Sequence, residues 1–239
     1  VRTGMRLDKF LADAGTGTRS EVKRLIKRGR VFVNGEQAKK PEIKVEPGVD
    51  KIICDGESID YQQNYYYMLN KPAGVVSATE DGYCQTVLDI LKAPVKKNLF
   101  PVGRLDKDTE GLLLITDDGD LAHQLLSPKK HVGKVYYARI DGKVSDEDVE
   151  AFRKGLSLGE LETLPAELTI IKQGEISEIE LLIYEGKFHQ VKRMFQAVGK
   201  EVIYLKRLSM GGLKLDEALA PGESRPLTKE EIEGLKNRS

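Results

Sequence analysis

The sequence predicts an α+β protein: a small αβ domain followed by a larger one built on a mixed, mostly antiparallel sheet flanked by helices. Three observations predict it. Strand-like runs are interleaved irregularly with short helices, unlike the strict alternation of a doubly wound sheet. The pattern changes character at a polar stretch, Tyr61–Asn64 (YQQN). The length of 239 residues, 40% of them apolar and 32% charged, fits one small globular domain and one larger one.

Val1–Gly4 precede a methionine and carry no pattern. Arg6–Ala14 places Leu7, Phe10, Leu11 and Ala14 at i, i+3, i+4 and i+7, one face of a helix, which Gly15-Thr16-Gly17 breaks. Ser20 is the expected N-cap of a second helix, Glu21–Arg28, with Val22, Leu25 and Ile26 as a narrow apolar stripe and Gly29 at its end. Val31–Val33 is a strand entering a tight turn at Asn34-Gly35, and Lys51–Cys54 is another. These elements define a first domain at residues 5–60, with 61–64 as linker and 65–239 as the second domain. There, Tyr65–Leu69 is a strand, Lys71–Gly74 a turn and Thr86–Leu91 a short helix. Gly111–Thr116 (GLLLIT) is a buried strand by its continuous apolar run. Leu121–Leu126 is a helix stopped by Ser127-Pro128. Val135–Ile140 is a strand, and Ser145–Lys154 is a helix opened by Ser145 with Asp148 three residues on. Leu168–Ile171 and Ile176–Tyr184 are strands, His189–Val198 is a helix and Glu201–Arg207 a strand. Thr228–Leu235 is a closing helix with a Thr228/Glu231 capping box.

Lys+Arg and Asp+Glu both number 38, so the net charge is zero, yet two stretches are basic. Arg19–Lys44 holds nine cations against three anions, and Lys187–Arg207 six against Glu201 alone. Such islands are the footprint of a polyanionic partner, although a solvated helix face gives the same run. No stretch approaches the roughly 18 apolar residues of a membrane span. Nor does the start carry a secretory pattern, and the expectation is a soluble, cytoplasmic protein with no membrane partner. Cys54 and Cys84 cannot make a disulfide framework, and no CxxC pair offers a zinc site. Neither a Walker A loop nor a GxGxxG turn is present, so no nucleotide cofactor is expected. His123, His131 and His189 lie on separate elements, and Asp117-Asp118-Gly119-Asp120 lacks the twelfth-position Glu of a calcium loop, that place being Pro128; no metal is expected.

Gly103–Leu112 (GRLDKDTEGL) is a charged turn, bracketed by glycines, that runs straight into the buried strand. Loops mounted on a rigid edge in this way commonly carry function. In an extended backbone Arg104 and Asp106 point the same way. An aspartate is an anion at neutral pH and can serve as a carboxylate nucleophile. From spacing alone a surface ion pair, worth about 0–1 kcal/mol, is the simpler reading.

Four motifs in order decide between them. RLDKFLA and SEVKRLIKRGRVFVNG, within Arg6–Asp60, resemble an S4-type RNA-binding domain. LNKPAG (Leu69–Gly74), GRLDKDTEGLLLITDDGDLAH (Gly103–His123), KVYYARI (Lys134–Ile140) and EGKFHQVKRMFQAVG (Glu185–Gly199) resemble the successive motifs of pseudouridine synthases, most closely the ribosomal small-subunit (RsuA-type) family. The resemblance implies isomerisation of one uridine in small-subunit (16S) ribosomal RNA without a cofactor. It places the catalytic nucleophile at Asp106, the active-site tyrosine at Tyr136 and the active-site cation at Lys192. Arg104 is the candidate to brace the flipped nucleotide. Asn70, Lys71, Gln190 and Arg193 are further substrate-binding candidates, although Asn-Lys-Pro is also plain turn chemistry. Arg19, Lys23, Arg24, Lys27 and Arg28 are the candidates for contact with RNA phosphates. Lys187 stands where many relatives carry Arg, which keeps the charge and loses the bidentate fork. The substrate is naked RNA or a small-subunit assembly particle, and a monomer is the default. The competing expectations are a synthase acting on 23S RNA and a non-catalytic S4-type ribosome-assembly factor.

Overall fold

The structure, a computed structural model, describes residues 4–59, 64–93 and 98–237. Asp60, the last residue of the expected first domain, and Tyr61–Gln63 of the expected linker lie outside the described residues. The chain divides into two compact units, one ending at Asn64 and one starting at Tyr65.

In the first unit the elements are β1 (Met5–Arg6), α1 (Leu7–Asp13), α2 (Arg19–Lys27), β2 (Val31–Val33), β3 (Glu36–Gln37), β4 (Lys44–Val45), β5 (Ile52–Cys54) and β6 (Glu57–Ile59). An antiparallel sheet runs β3-β2-β5-β6, and β1 pairs with β4. Leu7, Phe10 and Leu11 of α1 meet Val22 and Ile26 of α2 and Val31 and Ile52 of the sheet in one core. Asn34 (φ 52°) and Gly35 (φ 85°) both take positive φ, as a two-residue I′ hairpin turn requires. The cap of α2 is Thr18, not Ser20. The Thr18 hydroxyl accepts the Glu21 N–H at 3.3 Å while the Glu21 carboxylate accepts the Thr18 N–H at 2.7 Å. Ser20 has Lys23 three residues on, which cannot close such a box.

The second unit comprises β7 (Tyr66–Lys71), α3 (Val87–Ile90), β8 (Phe100–Pro101), β9 (Glu110–Thr116), α4 (Gly119–Leu126), β10 (Lys134–Asp141), α5 (Asp146–Lys154), β11 (Glu167–Lys172), β12 (Ile176–Ile183), α6 (Gln190–Ala197), β13 (Glu201–Met210), β14 (Leu213–Lys214), β15 (Ser224–Pro226) and α7 (Lys229–Lys236). The sheet runs β11-β12-β10-β13-β9-β7-β15, with β8 on β9 and β14 on β13. Among the described residues its pairs are antiparallel except β13 with β9. The continuous apolar run of β9 has a direct cause: both faces are covered. Leu112 and Leu114 pack with Met68 on one face, and Leu113 and Ile115 with Tyr67 and Leu69 on the other. A third core joins β10, β11 and β12 to Phe152 of α5 and to Met194 and Phe195 of α6. Asp118 caps α4, its carboxylate accepting the Leu121 N–H at 3.0 Å. Among the described residues no helix is long and apolar enough to cross a membrane.

Candidate active site

The turn between β8 and β9 carries Asp106, and buried polar groups hold its backbone. Lys71, the last residue of β7, is fully buried, and its Nζ donates to the carbonyls of Thr109 (2.8 Å), Pro72 (3.0 Å), Asp106 (3.1 Å) and Lys107 (3.3 Å). The Ser77 hydroxyl donates to the Leu105 carbonyl (3.0 Å) and accepts the Leu105 N–H (3.1 Å). The Gly74 N–H donates to the Lys107 carbonyl (2.7 Å), and the Thr109 N–H to that of Asp106 (3.0 Å), closing the turn. Gly111 then enters β9 with φ +101°, where an added Cβ would lie 2.3 Å from the Arg207 carbonyl oxygen. Only glycine lets β9 approach β13 so closely in the parallel pair.

Asp106 lines a cavity of about 100 Å³ together with Arg104, Tyr136, Lys192 and His189. Alternation along β10 turns Tyr136 inward, buried at 7% exposure, while Tyr137 points to the opposite face, where its hydroxyl donates to Glu178 at 2.8 Å. Lys192, one turn into α6, brings its Nζ to 3.2 Å from Asp106 Oδ2 and 2.7 Å from Asp108 Oδ1. Burial opposes the charge on Lys192, but the hydrogen bonds to Asp108 and Asp106 outweigh it and hold the ammonium above the usual lysine range. The same bond to Lys192 pulls the Asp108 carboxyl below its ordinary range. His189 precedes α6 in the left-handed region (φ 49°), with Nε2 at 3.5 Å from Asp106 Oδ1 and its ring stacked on Phe188 at 3.7 Å.

The structure therefore brings Asp106, Tyr136, Lys192 and Arg104 to one pocket, and does not bring all the expected substrate contacts there. Lys71 is enclosed by the carbonyls it holds, so it positions the turn and presents no free ammonium. Burial pushes its pKa down to about 8. Asn70 is also buried, its amide donating to the Leu219 carbonyl at 2.8 Å. Arg193 lies off the pocket, its Nη2 donating to the Leu158 carbonyl at 2.8 Å. Gln190 lines the pocket, but its amide donates to Glu185 (2.7 Å) and accepts the Lys187 N–H (2.9 Å), so it braces the start of α6. Lys187 donates to the Glu162 carbonyl at 2.6 Å and pairs with Glu185 at 2.9 Å.

Sequence reasoning missed four groups at this site: His189, Asp108, Lys134 and Arg207. Lys134 shares the parity of Tyr136 on β10, which is a legible signal; Arg207 was hidden inside a basic island. Arg19, Lys23, Arg24, Lys27 and Arg28 all stand exposed on α2 or at its end. Among the described residues no cluster of three or more His, Cys, Asp or Glu is placed to hold a metal ion.

The chain is similar to known proteins over nearly its whole length. The model of the RNA pseudouridylate synthase family matches residues 65–197, and that of the S4 domain residues 5–50. Ribosomal small subunit pseudouridine synthase A of Escherichia coli K12 is 44% identical over 231 residues, spanning 95% of this chain and 98% of that protein. An uncharacterised RNA pseudouridine synthase of Bacillus subtilis is 51% identical over 231 residues, spanning 95% of this chain and 97% of its own. A crystal structure of a pseudouridylate synthase superposes with a TM-score of 0.68 at 38% identity, covering 97% of this chain and all of that one. The chain belongs to the RNA pseudouridylate synthase family, isomerases that turn uridine in RNA into pseudouridine, and carries an S4 domain ahead of the synthase fold.

Proposed function

We propose that the protein converts one uridine of small-subunit (16S) ribosomal RNA to pseudouridine, with Asp106 as the nucleophile and no cofactor. The observation that carries the catalytic reading is the Asp106 carboxylate set 3.2 Å from the Lys192 ammonium in a pocket walled by Tyr136. The 16S target rests on likeness to the small-subunit synthases of Vibrio parahaemolyticus and Escherichia coli. Uridine and pseudouridine contain the same atoms, so the reaction needs no group supplied from outside.

The uridine first leaves its stack, at a cost of about a few kcal/mol. Arg104, exposed at the mouth of the pocket, braces the everted nucleotide. Tyr136 offers a ring face to the base and a phenol at its edge. Lys192 keeps a cation beside Asp106 while the carboxylate acts on the sugar, splitting one hard step into easier ones. The cations of α2 hold RNA phosphates and orient the substrate without reading its sequence.

The test is a map of pseudouridine in 16S and 23S RNA from a strain lacking the gene. The expected outcome is loss of a single 16S mark, restored by the wild-type gene and not by Asp106→Asn. Loss of a 23S mark instead would overturn the assigned target.

A further inference from the structure

Three polar groups in the wall of this pocket have no part in the chemistry described so far. Arg207 of β13 is 2% exposed and lines the pocket; its Nε donates to the Leu112 carbonyl at 2.8 Å, and its Nη2 has no partner among the described residues. Thr109 is also 2% exposed and lines the pocket, and its Oγ1 has no partner among the described residues. Lys134 of β10, 6% exposed, lines it too, with Nζ donating to the Val132 carbonyl at 3.1 Å. Native proteins pair their buried polar groups, so two orphaned atoms on residues that line one cavity point to a ligand that completes them. A purely structural arginine has no need of this arrangement, because one neutral donor would satisfy the Leu112 carbonyl.

We propose that Arg207 and Lys134, with the Thr109 hydroxyl, form a floor that binds the oxygens of the uracil ring and stabilises the base as an anion once its bond to the sugar breaks. The proposal rests on the isomerase reading, with Asp106 acting at the sugar. When the C1′–N1 bond breaks, its electron pair leaves with the base, and the negative charge is shared among N1, O2 and O4. Asp106 makes good the electron demand at the sugar. It either forms an O–C1′ bond or removes the C2′ proton, so that the C2′–H pair becomes a C1′–C2′ double bond. After the base turns, C5 supplies the pair for the new C5–C1′ bond and Asp106 is released or returns its proton. C5 then loses its proton and N1 gains one, and no atom enters or leaves overall. Two preorganised cations in a site that excludes water stabilise such a charge far better than solvated ones. They also tether the free base during its turn.

The alternative source of anionic oxygen is a phosphate of the RNA, and depth argues against it. A phosphate within a strand has chain continuing on both sides and stays at the rim, where exposed Arg104 and half-buried Lys187 stand. Only the everted base can reach groups as enclosed as Arg207 and Lys134. Burial first, and the Arg207 charge second, push the Lys134 pKa down to about 8, with the Glu185 charge opposing them.

The experiment has two arms. In the first, single-turnover tritium release from RNA carrying C5-tritiated uridine is measured for wild type, Lys134→Met, Lys134→Arg and Arg207→Gln. The expected result is a fall in rate of about 10²–10³-fold for Lys134→Met, with RNA affinity within a few fold and substantial rescue by Lys134→Arg. A Lys134→Met rate within twofold of wild type overturns the proposal, whether or not Arg207→Gln folds. In the second arm, UMP and ribose 5-phosphate are titrated by calorimetry. Lys134→Met should weaken UMP by about tenfold and leave ribose 5-phosphate unchanged. Equal weakening of both would assign the floor to phosphate and overturn the proposal. Titration needs no turnover, so an inactive wild type refutes the isomerase reading while the floor is judged separately by the UMP result.

Discussion

Arg19, Lys23, Arg24, Lys27 and Arg28 cluster on and beside α2 of the first unit, and all five are exposed. The second unit's Lys71, Lys134 and Arg207 are buried, at 0%, 6% and 2% exposure. In the linear sequence both groups contribute to the same even balance of charge, yet their physics differs. Exposed cations act at long range, exchange partners freely and lose their grip in salt. Buried ones are fixed donors, little screened, each aimed at a particular carbonyl or at the pocket. The first unit presents charge that suits many registers of a polyanion; the second presents fixed donors that suit one geometry.

The largest effect that tests this contrast comes from Lys71→Met. It removes the donor to four carbonyls around Asp106 and leaves them buried. The expected cost is about 2–4 kcal/mol in urea unfolding of the second unit. Tritium release should fall even at temperatures where the variant stays folded, while the salt dependence of RNA binding stays unchanged. On α2 the pattern reverses. Arg24→Ala with Lys27→Ala should weaken RNA binding and flatten log K against log salt by about 0.7 per lost contact on single strands, or about 0.9 on duplex. The rate at saturating RNA should be retained. A loss of rate without loss of affinity would break the division of labour.

The smallest effect is on pH. The Lys134 pKa, lowered by burial and by Arg207 to about 8, lies below its ordinary 10.5. Between those values the unfolded chain keeps a proton that the folded one has lost, so this group makes stability rise with pH, by at most about 1.4 kcal/mol per unit. Melting curves should therefore show the wild type gaining on Lys134→Met between about pH 8 and 10.5. Tyr66 and Tyr204, whose phenols burial pushes upward, act in the opposite direction above about pH 10, the ordinary phenol range, but do so in both proteins and leave that difference unchanged.

The same contrast explains what the sequence revealed. β9 was legible because six apolar or small residues in a row have little option but a strand covered on both faces. The helices opened by Ser145 and Thr228 were legible because their boxes are local chemistry. Strands of two residues, such as β3, β8 and β14, carry no period to detect, and β13 runs on to Met210 because the Gly211-Gly212 turn sends it back into β14. β15 ends in Pro226 and, among the described residues, pairs only with β7 at the sheet edge, where a proline is tolerated. The Gly103–Leu112 turn was visible as a motif, and its buried supports were not. Lysine and arginine are seldom fully enclosed, so Lys71 reads as a turn residue and Arg207 as one more surface cation until tertiary packing closes over them. His189 was passed over because its meeting with Asp106 depends on a left-handed backbone that the residue type does not announce.

One measurement bears most directly on the central claim, that the carboxylate at position 106 performs the chemistry. It is tritium release from C5-labelled 16S RNA by the wild type and by Asp106→Asn, with RNA affinity and melting temperature recorded for both. The account predicts release by the wild type and none by the variant, at affinities within a few fold and an unchanged fold. Turnover by the Asn variant would contradict it.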